Sequence, residues 1–170
     1  MKILVVVDMQ NDFIYGSLGS LLTQNVVDNV VAKVAEYKAN GDIIIFTRDT
    51  HNENYLETPE GKKLPVEHCI LGTEGWEIIP ELNPKLPAKW AIVDKPIFGS
   101  VDLMDYFDDN DEIEFCGVCT DICVVSNALM AKSFYPDAKI SVDTKCCAGT
   151  SINNHLSAID VKRSCPIYII

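Results

Sequence analysis

The chain has 170 residues, 48% of them hydrophobic and 23% charged, and a formal net charge of −11. That length suits one domain with a full hydrophobic core, and an acidic chain without a Lys/Arg cluster argues against nucleic acid and anionic membrane as partners. The seven cysteines are odd in number and Cys146 and Cys147 are adjacent, which in a chain without an export signal suggests free thiols in a reducing cytoplasm.

In chain order, Ile3 to Val7 is an unbroken aliphatic run, as expected of a strand buried on both faces. It is too short for a signal peptide and lacks a small-residue cleavage site. No later run approaches the roughly 18 residues of a membrane span. Asp8 follows the strand, and Met9 to Ser20 reads as a loop with two glycines. Val27, Val30, Val31, Val34 and Tyr37 share one face of a helix from about Thr23 to Ala39, stopped by Asn40-Gly41. Ile43 to Phe46 is a second buried strand, ended by Thr47-Arg48-Asp49. The strand–helix–strand unit implies a right-handed parallel crossover.

From His51 to Leu86 the periodicity is poor and Pro and Gly are frequent. The stretch reads as a long surface excursion with one helical turn near Trp76 to Ile79, and long loops of this kind are usually functional or disordered. Trp90 to Val93 is a short strand with Asp94-Lys95 at its end, and Val101 to Phe107 is a short helix stopped by the acidic run Asp108 to Asp111. Glu112 to Phe115 alternates like a strand end and Val124 to Ala131 is apolar at helical spacing, so the stretch between them reads as a tight turn and a helix start. Lys139 to Val142, Ile152 to Arg163 and Ile167 to Ile170 complete the chain as strand, helix and strand. The fold class expected is α/β: residues 1–170 as a single-domain doubly wound, mainly parallel sheet with helices on both faces.

Sites in such sheets lie at the carboxyl ends of the strands, where Asp8, Asp49, Lys95 and the Cys119-to-Cys123 turn all fall. Thr120 or Asp121 can cap the helix that follows. Cys123 then stands in its first turn, where the dipole lowers a thiol's pKa and favours a nucleophile. A buried helix cysteine fits the same position, and both readings stand on this stretch alone. Asp8 and Lys95 taken singly are ordinary strand-end surface residues. Together, a carboxylate that moves a proton, an ammonium that steadies anions and a thiol that attacks make a coherent set. No G-x-G-x-x-G and no P-loop is present, so a nucleotide cofactor has no support.

Asp8-Met9-Gln10-Asn11-Asp12-Phe13, Lys95 and Gly117-Val118-Cys119-Thr120-Asp121-Ile122-Cys123-Val124 resemble the isochorismatase-like cysteine hydrolase superfamily, and within it the nicotinamidases, over the whole length. The resemblance implies a triad of Asp8, Lys95 and Cys123. It implies a cis peptide between Val118 and Cys119, and an oxyanion hole from the N–H groups of Cys119 and Cys123. Cys119 stands where many relatives have alanine and reads as a small-residue substitute. The resemblance also implies a divalent metal, zinc or else manganese or iron, held by Asp49, His51 and His68, with Glu60 as the fourth ligand and Glu57 or Glu53 as alternatives. That metal would hold a pyridine nitrogen.

His155 is expected to be structural or to line the site edge. Phe13, which matches the motif, and Trp90 are the candidate walls of a flat ring pocket, with a core position as the alternative for Trp90. The aromatic that relatives carry before the second metal histidine is missing from Leu64-Pro65-Val66-Glu67. The reaction implied is hydrolysis of a small aromatic carboxamide, nicotinamide to nicotinate and ammonia, through a Cys123 thioester. The alternatives are an amidohydrolase of the same superfamily acting on an N-carbamoyl or ureido compound, and a non-catalytic member of the fold. Cys123 argues against an isochorismatase, which lacks the nucleophile. The expected partner is a small-molecule carboxamide, with no nucleic acid and no membrane, and self-association is left open.

Overall fold

The structure is a computed structural model and describes residues 1–82 and 90–170. Strand β1 (Lys2–Val7) lies at the centre of the sheet, and Ile3 to Val7 are fully buried, as an aliphatic run covered on both faces must be. The expected loop after it contains two short helices, α1 (Asn11–Ile14) and α2 (Leu21–Gln24). Ser20 starts the second with a reciprocal capping box to Thr23, a local signal that outweighs the poor periodicity. The helix expected over 23–39 is therefore divided between α2 and α3 (Val27–Asn40). Helix α3 buries Val27, Val30, Val34 and Tyr37 and ends at Gly41 in the left-handed conformation, which glycine adopts without steric cost.

β2 (Ile43–Asp49) follows, and α4 (Pro59–Lys63), capped by Thr58, lies in the excursion after it. A 3-10 turn spans Glu74–Trp76, slightly ahead of the turn expected at 76–79. The expected excursion ran to Leu86, and its last residues, 83–86, lie outside the described part. β3 (Ala91–Lys95) runs two residues further than expected and takes in Asp94 and Lys95. The helix expected over 101–107 is a 3-10 turn, Asp102–Tyr106. β4 (Glu112–Val118) leads to α5 (Val125–Phe134). β5 (Lys139–Ala148) is ten residues long, beyond the expected end at Val142, because Asp143 is buried against the Lys33 ammonium at 3.0 Å rather than solvated. α6 (Ile152–Ser164) and the short edge strand β6 (Tyr168–Ile169) close the chain.

All strand pairs are parallel, in the order β3-β2-β1-β4-β5-β6. The chain reverses winding between β1 and β4, and ligands bind at the carboxyl edge beside such a switch point. Register places Val7 beside Gly117 and Asp49 beside Lys95, so the four predicted strand-end groups meet on one edge. Gly117 has φ of +109°, and a Cβ there would run into the Val7 backbone. No helix among the described residues is long and apolar enough to cross a membrane.

Candidate functional site

Asp8 follows β1 with φ of +48°, a left-handed conformation uncommon outside glycine. Thr47 on β2 holds it there: the Asp8 N–H donates to the Thr47 carbonyl at 3.2 Å, and Thr47 Oγ1 donates to Asp8 Oδ1 at 2.6 Å. That leaves Oδ2 facing Lys95 Nζ, 2.7 Å away, with both side chains fully buried. Lys95 Nζ is also 3.3 Å from Asp49 Oδ1 and 3.5 Å from Cys123 Sγ, and donates to the Ile97 carbonyl at 3.3 Å. The ammonium thus joins two carboxylates and a thiol, all of them buried.

The Val118–Cys119 peptide is cis, as the resemblance implied. The turn that carries Cys123 differs from the expected capped helix start: Thr120–Val124 forms one wide π-type turn ahead of α5. No side chain caps it. Thr120 Oγ1 instead pairs with His155 Nδ1 at 2.8 Å, and Asp121 accepts from Thr150 N–H and Oγ1 at 2.9 and 2.6 Å. Both were better placed to bond α6 and its leading loop than to cap. Asn127 holds the turn from the other side, donating to the Cys123 carbonyl at 2.8 Å and the Phe98 carbonyl at 3.0 Å while accepting the Ser100 N–H at 2.9 Å.

Electrostatics also departs from expectation. Burial and then the Asp8 charge push the Cys123 thiol up, against the pull of Lys95. A dipole at an exposed helix start would have lowered it, but this thiol is enclosed. Burial likewise raises Asp8 above the usual carboxylate range although Lys95 opposes it. Burial acts to lower Lys95, yet the charges of Asp8, Cys123 and Asp49 hold it protonated. Two acids with raised pKa values beside a fixed ammonium share protons as a pair.

Beside this group, Asp49, His51, Glu60 and His68 each offer a ligand atom within 4.8 Å of the others. Asp49 Oδ2 is 2.9 Å from His51 Nε2 and 3.4 Å from His68 Nε2. Glu60 Oε1 is 3.8 and 3.9 Å from the same two nitrogens. His68 Nδ1 donates to the Val66 carbonyl at 2.8 Å, which leaves Nε2 free for the cluster, the arrangement usual for a metal-binding imidazole. Burial acts to raise Asp49, but hydrogen bonds from His51 and His68 hold its carboxyl well below the ordinary range. Two imidazoles and two carboxylates converging in a buried pocket fit a divalent ion. Glu53 and Glu57 are exposed and outside this group.

Phe13 packs on His68, ring centroids 5.5 Å apart. Trp90 does not reach the site. It precedes β3 while Lys95 ends it, and its ring packs on Phe46 with centroids 6.2 Å apart. Its apolar bulk is used in the core instead. His155 is half-buried and outside the metal-type cluster. Two residues escaped the sequence reading. Tyr55 lies 4.7 Å from His51 and 4.9 Å from His68, centroid to centroid. Buried Gln10 accepts the Asp49 N–H at 2.7 Å and donates to the Asp49 and Trp76 carbonyls at 2.8 Å each. Gln10 lies inside the Asp8–Phe13 stretch that carried the resemblance, whereas nothing local marks Tyr55.

The isochorismatase domain family matches residues 2–167. The nicotinamidase/pyrazinamidase of Mycobacterium tuberculosis is 25% identical, over all of this chain and 98% of its own length. The pyrazinamidase of Pyrococcus horikoshii, solved in complex with zinc, superposes with a TM-score of 0.84 at 25% identity, over 99% of this chain and 98% of that one. The N-carbamoylsarcosine amidase of Thermoplasma acidophilum, at 21% identity and a TM-score of 0.78 over 99% of this chain and 94% of that one, shares the fold. The chain belongs to the isochorismatase family and is similar to its nicotinamidase members.

Proposed function

We propose that this protein hydrolyses a small aromatic carboxamide, nicotinamide to nicotinate and ammonia, through a thioester on Cys123. The observation that carries the reading is the Lys95 ammonium standing 2.7 Å from Asp8 and 3.5 Å from Cys123 in a buried site. Asp8 takes the thiol proton as the sulfur attacks the carboxamide carbon, and Lys95 steadies the sulfur anion. The backbone N–H groups of Cys119 and Cys123 receive the charge on the carbonyl oxygen. Asp8 then returns the proton to the departing amine, and water, deprotonated by Asp8, cleaves the thioester. Asp49, His51, Glu60 and His68 would hold a divalent metal, zinc for preference, which supplies a coordination point for the ring nitrogen. Phe13 would wall the ring. Ammonia release across nicotinamide, pyrazinamide, benzamide and an N-carbamoyl amino acid tests the reading. Release from the N-carbamoyl compound alone would replace it with a ureido hydrolase.

Two expected results arise here. Protein purified without chelator should carry a single divalent ion per chain by elemental analysis. Its complete removal should slow hydrolysis of the pyridine carboxamide by more than about tenfold, the equivalent of ~1.4 kcal/mol. Metal-free protein with unchanged turnover would overturn the cluster's role. The second result concerns pH. Turnover needs one mobile proton on the Asp8–Cys123 pair. Because Asp8 is raised above its ordinary 3.8, activity should be lost on the acid side at a pH above that value. Because Cys123 is raised above its ordinary 9.0, the pair's last proton should leave only on the far alkaline side. The kcat/KM profile should be a bell with a broad optimum around neutrality, and an acid limb lying below the ordinary aspartate value would contradict the pairing.

A further inference from the structure

Lys162 is fully buried on α6, at a position whose neighbours at helical spacing, Ala158 and Ile159, belong to the core face. Among the described residues no carboxylate lies within ion-pair distance of its ammonium. Its hydrogen bond runs to the Thr120 carbonyl at 3.2 Å. Burying an ammonium without a carboxylate partner is expensive, and replacing such a charge by an apolar side chain of similar volume is commonly neutral or stabilising. A helix packed only for stability would carry leucine or methionine here. What the ammonium touches is the first residue of the turn that carries Cys123. The same Thr120 is held through its hydroxyl by His155, two turns earlier on the same face of α6, and the next residue, Asp121, is tied to Thr150.

We propose that Lys162 is a positioning residue for the nucleophile turn: its ammonium holds the Thr120 carbonyl from the α6 side and so fixes the peptides leading from Cys119 to Cys123. The inference rests on the reading of Cys123 as nucleophile. The wide turn has no side-chain cap, so its first peptide depends on outside groups for its orientation. Burial lowers Lys162 below the ordinary lysine value, opposed by Cys147 and Asp121. Either protonation state still donates to a carbonyl.

The test is Lys162→Met in the full chain, with melting temperature, the rate of Cys123 carboxamidomethylation by iodoacetamide at neutral pH read by peptide mass spectrometry, and steady-state hydrolysis of nicotinamide. The expected result is alkylation of Cys123 slowed about tenfold, the scale of one charge-assisted hydrogen bond, with a melting temperature unchanged or raised. On nicotinamide, kcat should fall by a similar factor while KM stays within about threefold. Unchanged alkylation overturns the proposal, and so does slowed alkylation accompanied by a lowered melting temperature, since lost packing would then account for both. If the methionine variant does not fold, Lys162→Gln carries the same comparison. Absence of nicotinamide turnover in the unaltered protein would count against the substrate and leave the alkylation result to decide on Lys162.

Discussion

Replacing Cys123 by alanine is expected to reduce amide hydrolysis about 10⁴-fold or more, because in the proposed mechanism Asp8, Lys95 and Cys123 act as a unit and loss of the thiol removes the covalent route altogether. The fold should survive. The side chain is buried, but removing one sulfur costs on the order of 1 kcal/mol, and the turn keeps its bonds to Asn127, Thr150, His155 and Lys162. Far-ultraviolet circular dichroism and a melting curve read the fold, and ammonia release reads the chemistry. Retention of activity within a few-fold would remove Cys123 from the reaction.

Lys95→Met should damage the fold more than Cys123→Ala does, though turnover less. It removes the ammonium that faces Asp8 and Asp49 and leaves two buried carboxylates without it. Breaking a buried pair from one side costs about 3–5 kcal/mol, so a clear fall in melting temperature is expected along with a loss of about 10²–10³-fold in turnover. The sign on the thiol follows from the same contacts. Lys95 lowers the Cys123 pKa, so its removal raises it further and carboxamidomethylation at neutral pH should slow. Adding Asp8→Asn should recover part of the lost stability, since it neutralises one orphaned charge. Alkylation at the original rate in Lys95→Met would mean that the lysine does not activate this thiol, and the mechanism would need another source of activation.

The sheet was readable because buried parallel strands announce themselves as aliphatic runs, and Ile3–Val7 and Ile43–Phe46 are such runs. The convergence of Asp8, Asp49, Lys95 and Cys123 followed from strand ends alone, since a parallel sheet delivers them all to one edge. The parts that were misread depend on contacts distant in sequence. The strand expected to end at Val142 runs on through Asp143, which is buried beside Lys33 of α3. Thr120 and Asp121 looked like caps until α6 and the loop before it offered closer partners. Trp90 looked like a ring wall because its residue type suits one, but it precedes β3, at the end away from Lys95, and packs on Phe46 in the core. The Cys123 thiol was misjudged because local helix geometry carries no information about how much protein covers it. Tyr55, which faces both imidazoles, comes from an irregular stretch where no periodicity directs attention.

The close approach of Val7 to Gly117 bears on how this edge tolerates change. Asp8 follows one of these residues and the Cys119-to-Cys123 turn follows the other by a single residue, Val118. The clearance between the acid and the thiol is therefore set in the main chain, by a methyl group that is absent, before any side chain adopts its rotamer. Even an alanine at this point would wedge the two central strands apart at their working ends. Repacking of the surrounding core could not restore the gap, because what the added carbon meets is the Val7 backbone itself.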